Sequence, residues 1–242
     1  MDILSIREDF ISGKVDLISF YTDVIKKIED KKDLNIFLDF SKEKIMERVE
    51  FLNNKLKNKE KLGSLFGVSV SVKDNILVKG YKNTCGSKIL ENYSPIFNAT
   101  IIDRLLEEDA VILGKVNMDE FAMGGSGETS YFGATKNPLD ESLIPGGSSS
   151  GSASSVSADL AMISLGSDTG GSVRNPASFC ACVGYKPTYG MISRYGVVSM
   201  ASSLDQVGIL SNDVKSILPV LNTIGGLDKM DAVTMRDAVY IK

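Results

Sequence analysis

Two glycine–serine segments hold the hydroxyls best placed for nucleophilic chemistry: Pro-Gly-Gly-Ser-Ser-Ser-Gly-Ser at 145–152 and Gly-Ser-Asp-Thr-Gly-Gly-Ser-Val-Arg at 166–174. A serine attacks only when a base takes its proton. The chain has no histidine, which excludes a Ser-His-Asp triad, a Cys-His pair and every histidine-ligated metal site. The realistic base is then an amine, which stays protonated near neutral pH unless desolvation or neighbouring cations lower its pKa. Lys73 suits that role by position. It ends an alternating stretch in which Val68, Val70 and Val72 face one way and Ser69, Ser71 and Lys73 the other. Position alone leaves the reading open, because most strand-end lysines are solvated and any single serine here is equally a turn or capping residue. Neither segment carries the Gly-Lys-Ser/Thr that ends a phosphate-cradling loop.

The elements that must position these groups follow from periodicity. Residues 1 to about 60 read as helical: Phe20, Tyr21, Val24, Ile25 and Ile28 recur with helical spacing behind a capping Asp16. A further helix begins near Ser41, with Ile45, Met46, Val49, Leu52 and Leu56 on one face and a charged face that is most simply solvated. After Gly63 come the strand ending at Lys73, an apolar helix over 99–107, a short strand over 110–114 closed by Gly114, and a buried strand over 160–165. A capped helix is expected over 211–224, with Val214, Ile217, Leu218 and Leu221 inward. Helices alternating with short apolar strands imply a layered α/β fold. The glycine- and serine-rich tract at 123–176 fits a flexible linker poorly, because Tyr131-Phe132, Asn137-Pro138-Leu139 and the 160–165 strand interrupt it. Such composition between ordered elements marks backbone that approaches a ligand closely.

Composition sets further limits. With 242 residues, 43% of them hydrophobic and 24% charged, the chain has enough apolar material for a large core. Its net charge of −4 gives no reason to expect general binding to a nucleic-acid backbone. Cys85, Cys180 and Cys182 are too few for a disulfide framework and read as small buried residues of a cytoplasmic protein. No stretch reaches the roughly 18 apolar residues of a membrane span, and no membrane partner is expected.

Three separated motifs resemble the amidase signature family in order and spacing: Val70-Ser71-Val72-Lys73-Asp74, the Gly146-Gly147-Ser148-Ser149 loop, and Asp168-Thr169-Gly170-Gly171-Ser172-Val173-Arg174. The resemblance covers nearly the whole chain. It implies a mixed, twisted sheet sandwiched by helices, with an N-terminal helical segment at 1–62 and one continuous core at 63–242. It also implies a Ser-cisSer-Lys triad in which Ser172 is the acyl-accepting nucleophile, Ser148 the bridging serine in a cis peptide, and Lys73 the base. The backbone N–H groups along Thr169, Gly170 and Gly171 would then lie beside the nucleophile, where a developing oxyanion needs donors. Ser150 stands where the family's loop usually has glycine, and is expected to be tolerated.

Within the family, Asn117-Met118-Asp119-Glu120-Phe121-Ala122-Met123-Gly124, Lys186-Pro187-Thr188-Tyr189-Gly190 and Ala201-Ser202-Ser203-Leu204-Asp205-Gln206-Val207-Gly208 are similar to the A subunits of glutamyl-tRNA(Gln) amidotransferases. That resemblance implies hydrolysis of glutamine, with Met123, Gly124 and Gly125 lining its pocket; Gly125 replaces a serine common there. It implies the B and C subunits as partners in a heterotrimer, ATP and magnesium at the B subunit, no cofactor on this chain, and tRNA met mainly through the same B subunit. Family members run well beyond residue 242, and the remainder supplies sheet strands and the groups that grip the glutamine α-carboxylate and α-amine. A sheet cut there would leave open edges, so the 242-residue polypeptide alone is expected to be poorly soluble and inactive. A stand-alone small-amide amidase and a non-catalytic remnant are the alternatives.

Overall fold

Asp2 and Asp16 start the first two helices. Their carboxylates accept backbone N–H groups of the first turn, from Leu4 and Ser5 and from Ser19, satisfying donors that a helix start leaves free. The computed structural model describes residues 2–234, so the last eight residues of the expected 63–242 core lie outside the described residues. Helices α1 (Ile3–Ile11) and α2 (Leu17–Asp30) are followed by strand β1 (Phe37–Phe40) and helix α3 (Lys42–Lys57). β1 departs from the all-helical reading of residues 1–60. Four residues, Phe-Leu-Asp-Phe, are too few for periodicity to decide, and pairing along a neighbouring strand settles them as β.

The chain continues through β2 (Ser69–Lys73), α4 (Thr100–Glu107), β3 (Val111–Val116), α5 (Ser150–Ser157) and β4 (Ile163–Asp168). It ends with α6 (Arg174–Phe179), β5 (Val183–Tyr185), β6 (Gln206–Ser211) and α7 (Ile217–Ile224). The six strands make one mixed sheet in the order β1-β3-β2-β4-β6-β5, with β2 parallel to both neighbours and the other pairs antiparallel. Val68, Val70 and Val72 join Ile163, Leu165, Val207 and Ile209 in one core with Ile101, Leu105, Val220 and Leu221 of α4 and α7. Val111, Leu113 and Val116 pack instead with α2 and α3. Beside that layer lie α5 and α6, held by Ala153, Val156, Val173 and Ala177. The sheet is thus sandwiched, and the expected alternation in β2 sends the valines to one face and Ser71 to α5, where it meets Ser155 Oγ at 2.7 Å.

Three other boundaries differ from the sequence reading, and the first is the strand expected over 160–165, which runs as β4 over Ile163–Asp168. β3 does not stop at Gly114 but passes through it at φ +154°; a Cβ there would fall 2.3 Å from the Asp39 carbonyl oxygen of β1. Against β2 the pairing register slips here, from Val70–Ile112 to Ser71–Gly114, so glycine marks a bulge and not an end. Residues 206–211 form β6, so the final helix begins only at Ile217, after a turn in which the Asp213 carboxylate accepts from Ser216 N and Oγ. Val214 precedes that helix and is 70% exposed, whereas Ile217 and Leu221 are buried as expected. Among the described residues, no helix is long and apolar enough to cross a membrane.

The serine-rich stretch after Ser149 is a helix, α5, buried over all but its last residue. Small side chains let it lie close to the strands, and its hydroxyls find acceptors: Ser152 donates to the Leu165 carbonyl and Ser154 to the Lys136 carbonyl. A Cβ at Gly151 would fall 2.5 Å from the Asn117 backbone nitrogen. Gly151→Val is therefore expected to destabilise the protein by about 1–3 kcal/mol through overpacking, read as a lower urea midpoint at unchanged slope.

Candidate active site

β2 delivers Lys73 at its C-terminal end, in the middle of the sheet and with no exposed surface. Its Nζ lies 2.8 Å from Ser148 Oγ, 2.9 Å from Ser167 Oγ and 3.2 Å from the Ser167 carbonyl oxygen. Burial pushes the amine down to about 7, against the opposing pull of Asp119, Asp168, Cys85 and Asp205. Cys85 adds little to that pull, because its own burial raises the thiol to about 12 and keeps it neutral. Burial thus shifts this lysine toward its neutral form, the form in which an amine can accept a proton.

Ser148 sits just before α5, fully buried, and the Gly147–Ser148 peptide is cis. Its loop is fastened to the second motif: Ser149 N donates to the Ser172 carbonyl at 3.0 Å, and Gly147 N donates to Asn175 Oδ1 at 3.0 Å. Ser172 is half-buried in the turn between β4 and α6. Among the described residues no hydrogen bond joins the Ser148 and Ser172 hydroxyls; the structure pairs Lys73 with Ser148 directly and brings Ser172 alongside through backbone bonds. Without substrate, catalytic hydrogen bonds are often long and tighten only on binding. Ser150 is the first residue of α5, without a left-handed backbone angle, and its Oγ lies 3.1 Å from Thr135 Oγ1.

The turn around Ser172 is shaped by Asp168, whose carboxylate is fully buried. It accepts from the backbone N–H groups of Gly171 at 2.8 Å and Val173 at 3.0 Å, and from Arg174 Nε and a terminal guanidinium nitrogen at 3.0 and 2.9 Å. Burial pushes this carboxyl up, but Arg174 and the amides outweigh it and hold the group below its ordinary value. One consequence alters the expected oxyanion donors. Gly171 N–H is occupied by Asp168, whereas the Gly170 and Ser172 amides have no acceptor among the described hydrogen bonds. Thr169 is tied through its hydroxyl to Asp205 Oδ1 at 2.5 Å. Asp168→Asn is expected to loosen this turn and lower stability by about 1.5–3 kcal/mol, checked by urea denaturation.

Met123, Gly124 and Gly125 form an exposed loop, with Met123 67% accessible. Asp119 ties the loop to Ser148. Its carboxylate accepts from Gly127 N and Thr129 N, its own N–H donates to the Ser148 carbonyl, and a Cβ on Gly124 would fall 2.4 Å from its Cγ. Gly125 has open space around it. The sequence reading did not single out Asn75, Asp119, Ser167 or Asp205 for the site, although each stands within or beside a motif. The available signal was a polar residue at a strand end, which became specific only when the fold buried it.

Lys73 is thus sealed from water while the turn that carries Ser172 opens to it, with Gly170 exposed and Thr169, Gly171 and Ser172 half-buried. Residues 19–239 match the family described as Amidase. This chain belongs to the amidase family.

Among amidase relatives, the A subunit of glutamyl-tRNA(Gln) amidotransferase from Chlorobium phaeobacteroides (strain BS1) is 48% identical over 235 residues, which are 97% of this chain and 49% of that protein. The crystal structure of the A subunit of glutamyl-tRNA(Gln) amidotransferase from Thermotoga maritima superposes with a TM-score of 0.71 at 53% identity, covering 73% of this chain and 39% of that one. The native peptide amidase from Stenotrophomonas maltophilia gives a TM-score of 0.92 at 30% identity, over 97% of this chain and 50% of that one. The chain spans about half the length of the curated relatives it matches.

Proposed function

We propose that this chain carries the glutamine-hydrolysing centre of a glutamyl-tRNA(Gln) amidotransferase, working by a Ser-cisSer-Lys mechanism. The observation that carries the reading is the buried Lys73 amine, held down to about 7 and 2.8 Å from Ser148 Oγ, in a chain without histidine. Ser172 Oγ attacks the carbonyl carbon of the glutamine side-chain amide. Its proton passes to Ser148, whose own proton passes to Lys73. The carbonyl oxygen becomes an oxyanion facing the Gly170 and Ser172 amides, and removing one such donor typically costs about 10²–10³ in rate. Lys73 returns the proton through Ser148 to the departing nitrogen, ammonia leaves, and water cleaves the glutamyl–Ser172 ester by the reverse relay. Met123, Gly124 and Gly125 flank the entrance.

The ammonia is used by a partner, the B subunit, with ATP and magnesium, to amidate Glu-tRNA(Gln) in the cytoplasm, while the C subunit holds the pair together; this chain itself needs no cofactor. The similarity to A subunits at 48% identity supports that assignment over a stand-alone amidase. The test is ammonia release from glutamine by the intact gene product, alone and with the B and C subunits, ATP, magnesium and Glu-tRNA(Gln). Release that rises on assembly is expected. Hydrolysis of small amides with glutamine untouched in every combination would replace this reading with the stand-alone one.

A further inference from the structure

A lysine amine has three directions besides its carbon, and in this protein each ends on an oxygen: Ser148 Oγ, Ser167 Oγ and the Ser167 carbonyl. The neutral amine has two N–H bonds and one lone pair to distribute among them. The carbonyl can only accept. Ser167 Oγ also receives Asn75 Nδ2 at 3.0 Å, which leaves it one acceptor position for an N–H of Lys73. When both Ser167 oxygens take N–H bonds from Lys73, the one direction left for the lone pair is Ser148.

Asn75 is itself held in one orientation. Its Nδ2 donates to the Val198 carbonyl at 3.2 Å as well as to Ser167, so turning the amide over would set its oxygen against the Val198 carbonyl oxygen. Among the described residues its buried Oδ1 has no hydrogen-bond partner. A buried acceptor left unpaired is destabilising, and here the same orientation places both N–H bonds where Ser167 and Val198 need them.

We infer that Ser167, fixed by Asn75, is a positioning residue that aims the Lys73 lone pair at Ser148. The inference rests on the reading of Lys73 as the base. Other charged groups around the amine are Asp119, Asp168 and Asp205, with Cys85 alongside and the buried pair of Asp74, next to Lys73 in sequence, with Lys115 of β3. None of the carboxylates hydrogen-bonds Lys73, so they set the local field while Ser167 sets direction.

The experiment uses two readouts on the intact gene product. The first is the rate at which a fluorophosphonate labels Ser172, forming an O–P bond and expelling fluoride while the serine proton passes to the relay, measured against pH. The second is the titration of Lys73 itself, followed by NMR of lysine carbon-labelled at Cε and assigned with Lys73→Arg. Ser167→Ala is expected to lower the high-pH labelling plateau by roughly 10- to 100-fold and to move the Lys73 titration to lower pH, since the ammonium loses an acceptor. Ser167→Thr, which keeps the hydroxyl, restores both. Asn75→Asp moves the titration the opposite way, because the new carboxylate favours the ammonium. A purely structural defect would not shift the two variants in opposite directions.

An unchanged plateau and titration in Ser167→Ala overturn the inference. If the wild-type protein is not labelled at all, the catalytic reading fails, and the titration alone then decides the orientation of the amine. Should Ser167→Ala fail to fold, Ser167→Thr and Asn75→Asp still carry the comparison, and an unshifted titration in Asn75→Asp counts against the inference.

Discussion

Ser172→Ala is expected to reduce glutamine hydrolysis by roughly 10⁴- to 10⁶-fold, the scale on which removal of an activated serine nucleophile acts elsewhere, while leaving the fold almost untouched. The two halves of that expectation have separate causes. The hydroxyl is the only group that would bond to the substrate carbon, so no neighbour can substitute for it. It also makes no hydrogen bond among the described residues, and the contact that fastens this position is its backbone carbonyl, which accepts from Ser149 N at 3.0 Å. Alanine keeps that carbonyl and the turn set by Asp168. Denaturation midpoints should therefore agree within about 0.5 kcal/mol, and fluorophosphonate labelling should vanish. Substantial hydrolysis by Ser172→Ala would remove Ser172 from the mechanism. A large loss of stability would show that the side chain has structural partners beyond those seen.

How much of this was legible beforehand depends on what each segment's pattern could encode. The lack of histidine points only toward an amine and leaves Lys73 one strand-end lysine among others; Lys73, Ser148 and Ser172 stand out because their three motifs resemble the amidase signature family. The valine alternation in β2 likewise reads directly, since a period of two sorts its side chains onto opposite faces and the sheet uses both. β6 was missed because Gln206-Val-Gly-Ile-Leu-Ser begins with a polar residue and has glycine at its centre, which weakens any strand signal. α5 was missed for the converse reason: serine and glycine favour turns locally, and this helix exists because tight packing and acceptors on neighbouring elements stabilise it. The supporting polar groups were hardest to read. Aspartates in general are mostly surface residues, and only the three-dimensional fold turns Asp119 and Asp205 inward to grip backbone N–H groups.

The largest stability effect is expected at the base itself. Lys73 titrates near 7 in the folded protein against an ordinary value of 10.5, a difference of roughly 5 kcal/mol in favour of the neutral form. The unfolded chain therefore binds more protons than the folded one between about pH 7 and 10.5, and in that window this group makes stability rise with pH. Below pH 7 both states carry the proton and the full penalty of burying an ammonium remains; above 10.5 it has disappeared. Lys73→Met removes the charge and keeps most of the volume, as buried ionic groups replaced by apolar ones often allow. It also leaves the Ser148 and Ser167 hydroxyls without their nitrogen partner, which costs about 1–3 kcal/mol. The variant should accordingly be more stable than wild type by about 2–4 kcal/mol at pH 6 and lose that advantage toward pH 10.5, even though glutamine hydrolysis and Ser172 labelling disappear. Urea denaturation of both proteins across that range tests it. A stability difference that does not change with pH would mean that Lys73 is charged in the folded protein, and an ammonium cannot take the proton from Ser148.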